Sequence, residues 1–309
     1  MTPIRRNNLL LASTALALSV VLAGCSSGSS SSASSAPATT PASTATVTGS
    51  QYNAALHDSL PADIIKKGSL TLATDPTDPP LEFFNDSNQL IGAEVDMAAA
   101  IGLVLGVKVQ LVAAKFDAII PGIQSGRYDG SVSGFADRAG RQKIVDFVDY
   151  FTSSRAYLFE TGKQTGLETA TDLCGKSVAV AKGTTMADSI VTQAADCLKA
   201  GKAKINAQIY PDQNACVLAV QSGRAELTIL SDHVAFWIAK TSKGALDVAL
   251  RPDQGQDING IAVRKGGLVT PIQKAIQQLM DGGTFVQIYT KWNLQKLILT
   301  TATVNAGVK

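Results

Sequence analysis

From residue 69 onward, short apolar runs alternate with segments whose apolar residues recur every three or four positions. The runs SLTLAT (69–74), KVQLV (108–112), YDGSVS (128–133) and RAYLF (155–159) read as strands. AEVDMAAAIGLVLG (93–106) and FDAIIPGIQSG (116–126) read as helices between them. The rhythm then restarts: strands at KSVAVA (176–181), KINAQIY (204–210), LTIL (227–230) and INGIAVRK (258–265), with helices at 184–200, 213–223 and 233–240. Two further helical patterns, PIQKAIQQLMDGG and FVQIYTKW, close the series. Such alternation predicts an α/β fold built on a mostly parallel sheet.

The two series echo each other. A helix runs into Ser-Gly-Arg and then a strand both in IQSGRYDG (123–130) and in VQSGRAEL (220–227). Two similar α/β halves predict two lobes with a cleft between them, the site lying on loops beyond the carboxyl ends of the strands.

The first 50 residues follow other rules. A basic start with Arg5 and Arg6 precedes an apolar stretch from Leu9 to Ala23. At about fifteen residues it is short for a bilayer span of roughly 20 and reads as an export leader, with the export route left open. The closing LAGC, Leu22 to Cys25, resembles the bacterial lipobox, which implies cleavage after residue 24 and lipidation of Cys25. Residues 26–50 are almost wholly Ser, Ala, Thr, Pro and Gly, without a charge or an aromatic ring. Such a stretch cannot bury enough surface to offset its ordering entropy, and residues 25–50 read as a flexible tether outside the cytoplasmic membrane.

Charge narrows the partners. The chain carries +2 overall, and without Arg5 and Arg6 its basic and acidic residues balance, so nucleic acid is not an expected partner. Cys174, Cys197 and Cys216 make an odd set, read as one disulfide and one free thiol. Cys174 precedes a strand and Cys197 ends a helix that returns toward it, which favours that pair; Cys216, in the apolar helix ACVLAV, reads as a small buried hydrophobe. Two histidines and no C-x-x-C pair leave no expected zinc site, and no cofactor is expected.

From about Lys67 to Trp292 the chain resembles the extracellular solute-binding proteins of family 3, the polar amino-acid receptors of ABC importers. The resemblance rests on eight stretches in order: GSLTLATDPTDPPLEF, LIGAEVDMAAAIGLVLGVKV, FDAIIPGIQSGRYDG, RAGRQKIVDFVDYF, TDLCGKSVAVAKGTTM, VLAVQSGRAEL, GIAVRKG and DGGTFVQIYTKW. It implies a type II periplasmic-binding-protein fold, with lobe 1 from residues 51–157 and 258–309, lobe 2 from 158–257, and hinge closure on a ligand. The implied partners are an amino acid or related zwitterion, an ABC permease and a lipid anchor, with no need for more than a monomer. A ligand-sensing lipoprotein would share these features, as would a dehydratase on the same fold. Glu82, Asp75 and His233 are the obvious acid or base candidates, and no Ser-His-Asp or metal constellation accompanies them.

The same resemblance assigns site residues. The arginine twelve positions after Asp129 is Arg141, which would grip the ligand carboxylate with paired donors, leaving Arg138 on the surface. Gly183, Thr184 and Thr185 would offer a helix amino end to the same anion, or Thr184 or Thr185 would cap that helix. Asp75 is placed as a ligand to the solute side chain, Phe116 as a cleft wall, and Ser133 and Gly134 as backbone contacts. Two positions depart from the family pattern: Ala136 lacks the usual hydroxyl, and Ser231 stands where the ammonium-binding aspartate is expected, one residue before Asp232. A one-residue move along a strand turns a side chain away, so Asp232 is either a displaced ligand or the N-cap of the helix at His233. Asp78 replaces a stacking aromatic. With Asp75 it suggests a basic ligand, although DPTDPP is equally a turn sequence.

Overall fold

The computed structural model describes residues 51–164, 166–251 and 255–307. The leader, Cys25 and the tether lie outside the described residues. The first elements are α1 (Ala54–Asp58), α2 (Ala62–Lys67), β1 (Ser69–Thr74), β2 (Thr77–Asp78), β3 (Glu82–Phe84), β4 (Leu90–Ile91) and α3 (Ala93–Leu105). There follow β5 (Lys108–Ala113), α4 (Phe116–Gln124), β6 (Gly130–Ala136), α5 (Ala139–Gln142) and β7 (Val145–Glu160). The second series comprises β8 (Ser177–Ala181), α6 (Thr185–Lys199), β9 (Asn206–Tyr210), α7 (Gln213–Gln221), β10 (Leu227–Ser231), α8 (Asp232–Thr241) and β11 (Leu246–Leu250). The chain then returns through β12 (Gln256–Arg264), α9 (Val269–Asp281), α10 (Thr284–Lys291) and β13 (Ile298–Val304).

The strands lie in the order β5–β1–β6–β12–β7–β10–β8–β9. β5, β1 and β6 are parallel in one half, and β10, β8 and β9 are parallel in the other. β12 and β7 run antiparallel at the junction. β7 carries the link between the halves: it pairs with β12 from Val145 to Ser154, then with β10 from Arg155 to Phe159. The return link crosses beside it, where the Arg251 amide donates to the Arg155 carbonyl.

Period-two burial on both faces explains the runs seen in the sequence. Leu70 and Leu72 of β1 enter one core and Ala73 the other; in β8, Val178 and Val180 face one core, Ala179 and Ala181 the opposite one. Helices cover these faces through apolar stripes, as Ile190, Ala194 and Cys197 do on α6. The sequence reading saw only residues 155–159 of β7 and missed β11 and β13. Asp146 and Asp149 interrupt the apolar pattern of β7, yet Asp149 is fully buried and accepts from the Ala306 amide beyond β13.

Cys174 and Cys197 form a disulfide, and Cys216 is a buried free thiol, as expected. The bridge closes 23 residues and ties the end of α6 to the approach to β8. Replacing both Cys174 and Cys197 with serine should lower unfolding free energy by about 3 kcal/mol; urea unfolding with an unchanged slope would measure it.

Candidate functional site

The carboxyl ends of β1, β6, β8 and β10 converge with the amino ends of α4, α6 and α7 on a cleft of about 640 Å³, part of it open to solvent. Lobe 1 contributes Asp75, Asp78, Phe116, Ser133, Gly134, Ala136 and Arg141. Lobe 2 contributes Thr184, Thr185, Met186, Asp212, Gln213 and Ser231, while Ser153, Asp257 and Asn259 form the floor at the hinge strands.

Arg141 stands where the walls meet. Its Nη1 donates to the Ala136 carbonyl at 2.8 Å and its Nη2 to the Gly183 carbonyl, on the other lobe, at 3.0 Å. The guanidinium lies 5.0 Å from the Phe135 ring centroid and 5.6 Å from that of Phe116, and those rings stack on each other. Burial lowers its pKa to about 10, opposed by the charges of Asp188, Asp257 and Asp137, so it remains a cation at neutral pH. Two of its five N–H groups are spent on carbonyls, which leaves donors for an anion.

Gly183 does not line the cleft. With φ of +78°, it packs so closely on Asp117 that a Cβ would lie 2.9 Å from that residue's own Cβ. Thr184 is the N-cap of α6: its hydroxyl donates to the Ala181 carbonyl at 2.6 Å and accepts from the Ala187 amide at 3.2 Å. Capping and a place in the cleft are thus combined in one residue. The lobes are further bridged by Lys182–Asp117 and Lys115–Asp212, both 2.7 Å.

The acidic residues occupy distinct settings. Asp75 Oδ1 accepts from the Thr77 hydroxyl and Oδ2 from the Phe116 amide, both at 2.9 Å; burial raises its pKa against those hydrogen bonds. Asp212 caps α7 through the Ala215 amide and pairs with Lys115. Asp257 pairs with Arg138, which is therefore not the free surface residue expected from the sequence but part of the hinge.

The N-cap reading of Asp232 does not hold. Ser231 occupies the N-cap position of α8, and Asp232 is the first helical residue, accepting from its neighbour's amide at His233. Asp232 is absent from the cleft lining because the helix begins one residue earlier than the sequence suggested, which turns its carboxylate toward the His233 ring, 3.5 Å from Nδ1. His233 is instead buried between the lobes, its Nε2 3.3 Å from Asp78 Oδ1.

Beneath Asp78 lies a fully buried acid cluster. Glu94 accepts from the Tyr150 hydroxyl and the Gly134 amide. Burial raises Glu94 to about 7 despite the Tyr150 bond, and burial with Glu94 and Asp78 nearby drives Glu82 well above the usual carboxylate range.

Gln213 and Asp212 were not anticipated, although the internal echo contained the signal. α4 and α7 each run nine residues into Ser-Gly-Arg, so Gln213 is the counterpart of Phe116. Ser153, Asp257 and Asn259 had no such signal, being polar residues within hinge strands.

The chain matches the family model described as bacterial extracellular solute-binding proteins, family 3, over residues 70–295. It is 28% identical over 248 residues to the arginine-binding protein ArgT of Corynebacterium glutamicum, covering 80% of this chain and 81% of that one. It is 26% identical over 251 residues to the L-cystine-binding protein TcyJ of Escherichia coli (strain K12), covering 80% and 91%. Among solved structures, an ancestral arginine-binding protein bound to arginine superposes with a TM-score of 0.67 at 31% identity, covering 73% of this chain and 98% of that one.

Glu94 supplies a test of the buried cluster. Its raised pKa means that the folded state holds a proton that the unfolded state releases above about pH 4.5. Stability from this group is therefore full below about 4.5 and declines as pH rises toward 7. Glu94→Gln should flatten the loss of stability between pH 5 and 7, read by thermal unfolding at matched ionic strength.

Proposed function

This chain belongs to the bacterial extracellular solute-binding proteins, family 3, and on that footing we propose that it captures an amino acid or amino-acid-like zwitterion between its lobes for delivery to an ABC permease. The observation that carries this reading is Arg141. A half-buried cation lines the cleft, held by one carbonyl from each lobe, with donors left for a carboxylate. The amino end of α6, with Thr184 and Thr185, approaches from the other wall and favours the same anion. The ligand set is Asp75, Asp78, Phe116, Ser133, Gly134, Ala136, Arg141, Thr184, Thr185 and Ser231, joined by Gln213 and Asn259.

A basic solute fits best. The hydrogen bonds described at Asp75 come from neutral donors, so its charge remains in the cleft to attract a cationic side chain. Relatives named for arginine favour the same class. Lobe 1 comprises residues 51–157 and 258–309 and lobe 2 residues 158–257. The protein acts as a monomer at the outer face of the membrane, held by a lipid on Cys25 and the tether that follows.

Arg141→Ala should weaken binding of the best amino acid from a thermal-shift screen by about 2–5 kcal/mol, because the solute's carboxylate would be enclosed without its partner. Unchanged affinity by calorimetry would remove the assignment. That screen should show stabilisation of about 2.7 kcal/mol at a concentration one hundred times Kd. Replacing Cys25 with serine in the full chain should move the protein from the membrane pellet to the soluble fraction of expressing bacteria; retention in the pellet would exclude a lipid anchor at this residue.

A further inference from the structure

The acidic residues of the cleft differ in what already holds them. Asp212 and Asp257 are paired with Lys115 and Arg138, and Asp75 has a hydrogen bond on each oxygen. Asp78 stands apart: its Oδ1 is sealed from solvent without a hydrogen-bond partner among the described residues, and the cationic group beside it is the His233 ring. At 3.3 Å from Asp78 and 3.5 Å from Asp232, neither ring nitrogen meets hydrogen-bond geometry, so these are charge pairings. Two carboxylates about one imidazolium leave a net negative charge on this wall.

That charge is aimed by the backbone. Asp78 Oδ2 rests against Gly134, where an added Cβ would come within 2.3 Å of it, and Gly134 has φ of +54°. The bare glycine gives the carboxylate its place at the cleft. Ala136, whose carbonyl holds Arg141, is two residues along β6, roughly 7 Å away at strand spacing. A molecule with a carboxylate and an ammonium on one carbon spans that interval, acid end to Arg141 and amino end to Asp78. On the opposite wall the cleft carboxylate is Asp212, already paired with Lys115, while Ser231 is neutral and Asp232 is turned to His233.

We infer that Asp78 is the carboxylate that receives the α-ammonium of the solute, and that His233, reaching it from the other lobe, is the residue that positions it. The inference rests on the reading of the cleft as an amino-acid site. It moves ammonium recognition from lobe 2, where the family resemblance would put it, to lobe 1, and makes the pairing conditional on closure.

A pH signature follows from the groups around the ring. His233 faces Asp78 on β2, Asp232 on its own helix and the Phe151 ring on β7, with Glu82 of β3, Glu94 of α3 and Tyr150 of β7 behind Asp78. Burial lowers its pKa, but Asp232 and Asp78 outweigh burial and bring it to about 9. Asp232 travels with His233 when the lobes part, whereas Asp78 does not. Closure therefore binds protons, and its benefit fades as pH rises through about 9.

The test is calorimetry with L-arginine and with 5-guanidinopentanoate, the same molecule without its amine, at pH 6.5 and 9. Should another amino acid lead the screen, that acid and its des-amino form replace them. Asp78→Asn should weaken L-arginine about 30-fold or more while changing 5-guanidinopentanoate less than about 3-fold. His233→Gln should weaken L-arginine at pH 6.5 by about 10-fold and reduce the further loss at pH 9 to the part that titration of the ligand's own α-ammonium supplies. Thermal unfolding confirms that each variant is folded, with His233→Asn as the second choice at that position. Equal losses for both compounds, an unaltered L-arginine affinity in Asp78→Asn, or an unaltered pH profile in His233→Gln would overturn the inference while leaving amino-acid capture intact. An unmodified protein that binds no amino acid would overturn both.

Discussion

A guanidinium leaves water only where acceptors replace its hydration, and at Arg141 those acceptors come from opposite lobes. The Ala136 carbonyl is fixed by β6, and the Gly183 carbonyl arrives only when lobe 2 is against lobe 1. One side chain thus couples closure to the electrostatics of the cleft. Gly183 makes that approach possible because nothing projects from it into Asp117, and its left-handed φ is one that few other residues adopt.

The buried acids show the opposite economy. Glu82 and Glu94 are fully enclosed, and burial outweighs the hydrogen bonds that stabilise their charged forms, raising the pKa of both. A neutral cluster under a charged one keeps Asp78 from sharing its wall with further full negative charges. The cost to the fold is set against tight packing of the residues around it, Tyr150 among them, which is fully buried.

Much of this was legible in the sequence, for reasons that differ from residue to residue. Strands buried on both faces announce themselves as apolar runs, and helices by their stripe, so the α/β layers followed from period alone. Arg141 followed from its motif, and Cys174 with Cys197 from the path of α6. β7 did not follow, because its first half carries aspartates whose partners lie far away in the chain, near residue 306 in the case of Asp149. The cap of α8 was misplaced for a local reason: the helix starts one residue earlier, so Ser231 rather than Asp232 holds that position. Gln213 was within reach, since the duplicated helix already marked its place.

The continuity of β7 has a mechanical meaning. An unbroken strand shared by both sheets cannot slide, so any opening is a twist confined to the few peptide units where it changes partners, near Ser154 and Arg155. Displacement in such a pivot grows with distance from the axle. Ser153 and Asn259 sit beside it, linked by a 2.9 Å hydrogen bond, and move little; Lys182 and Asp117, at the rim, travel farthest. A solute is thus seated on a nearly stationary floor and judged by a moving edge, so its length toward that edge, more than its bulk near the floor, governs how far the jaws can shut.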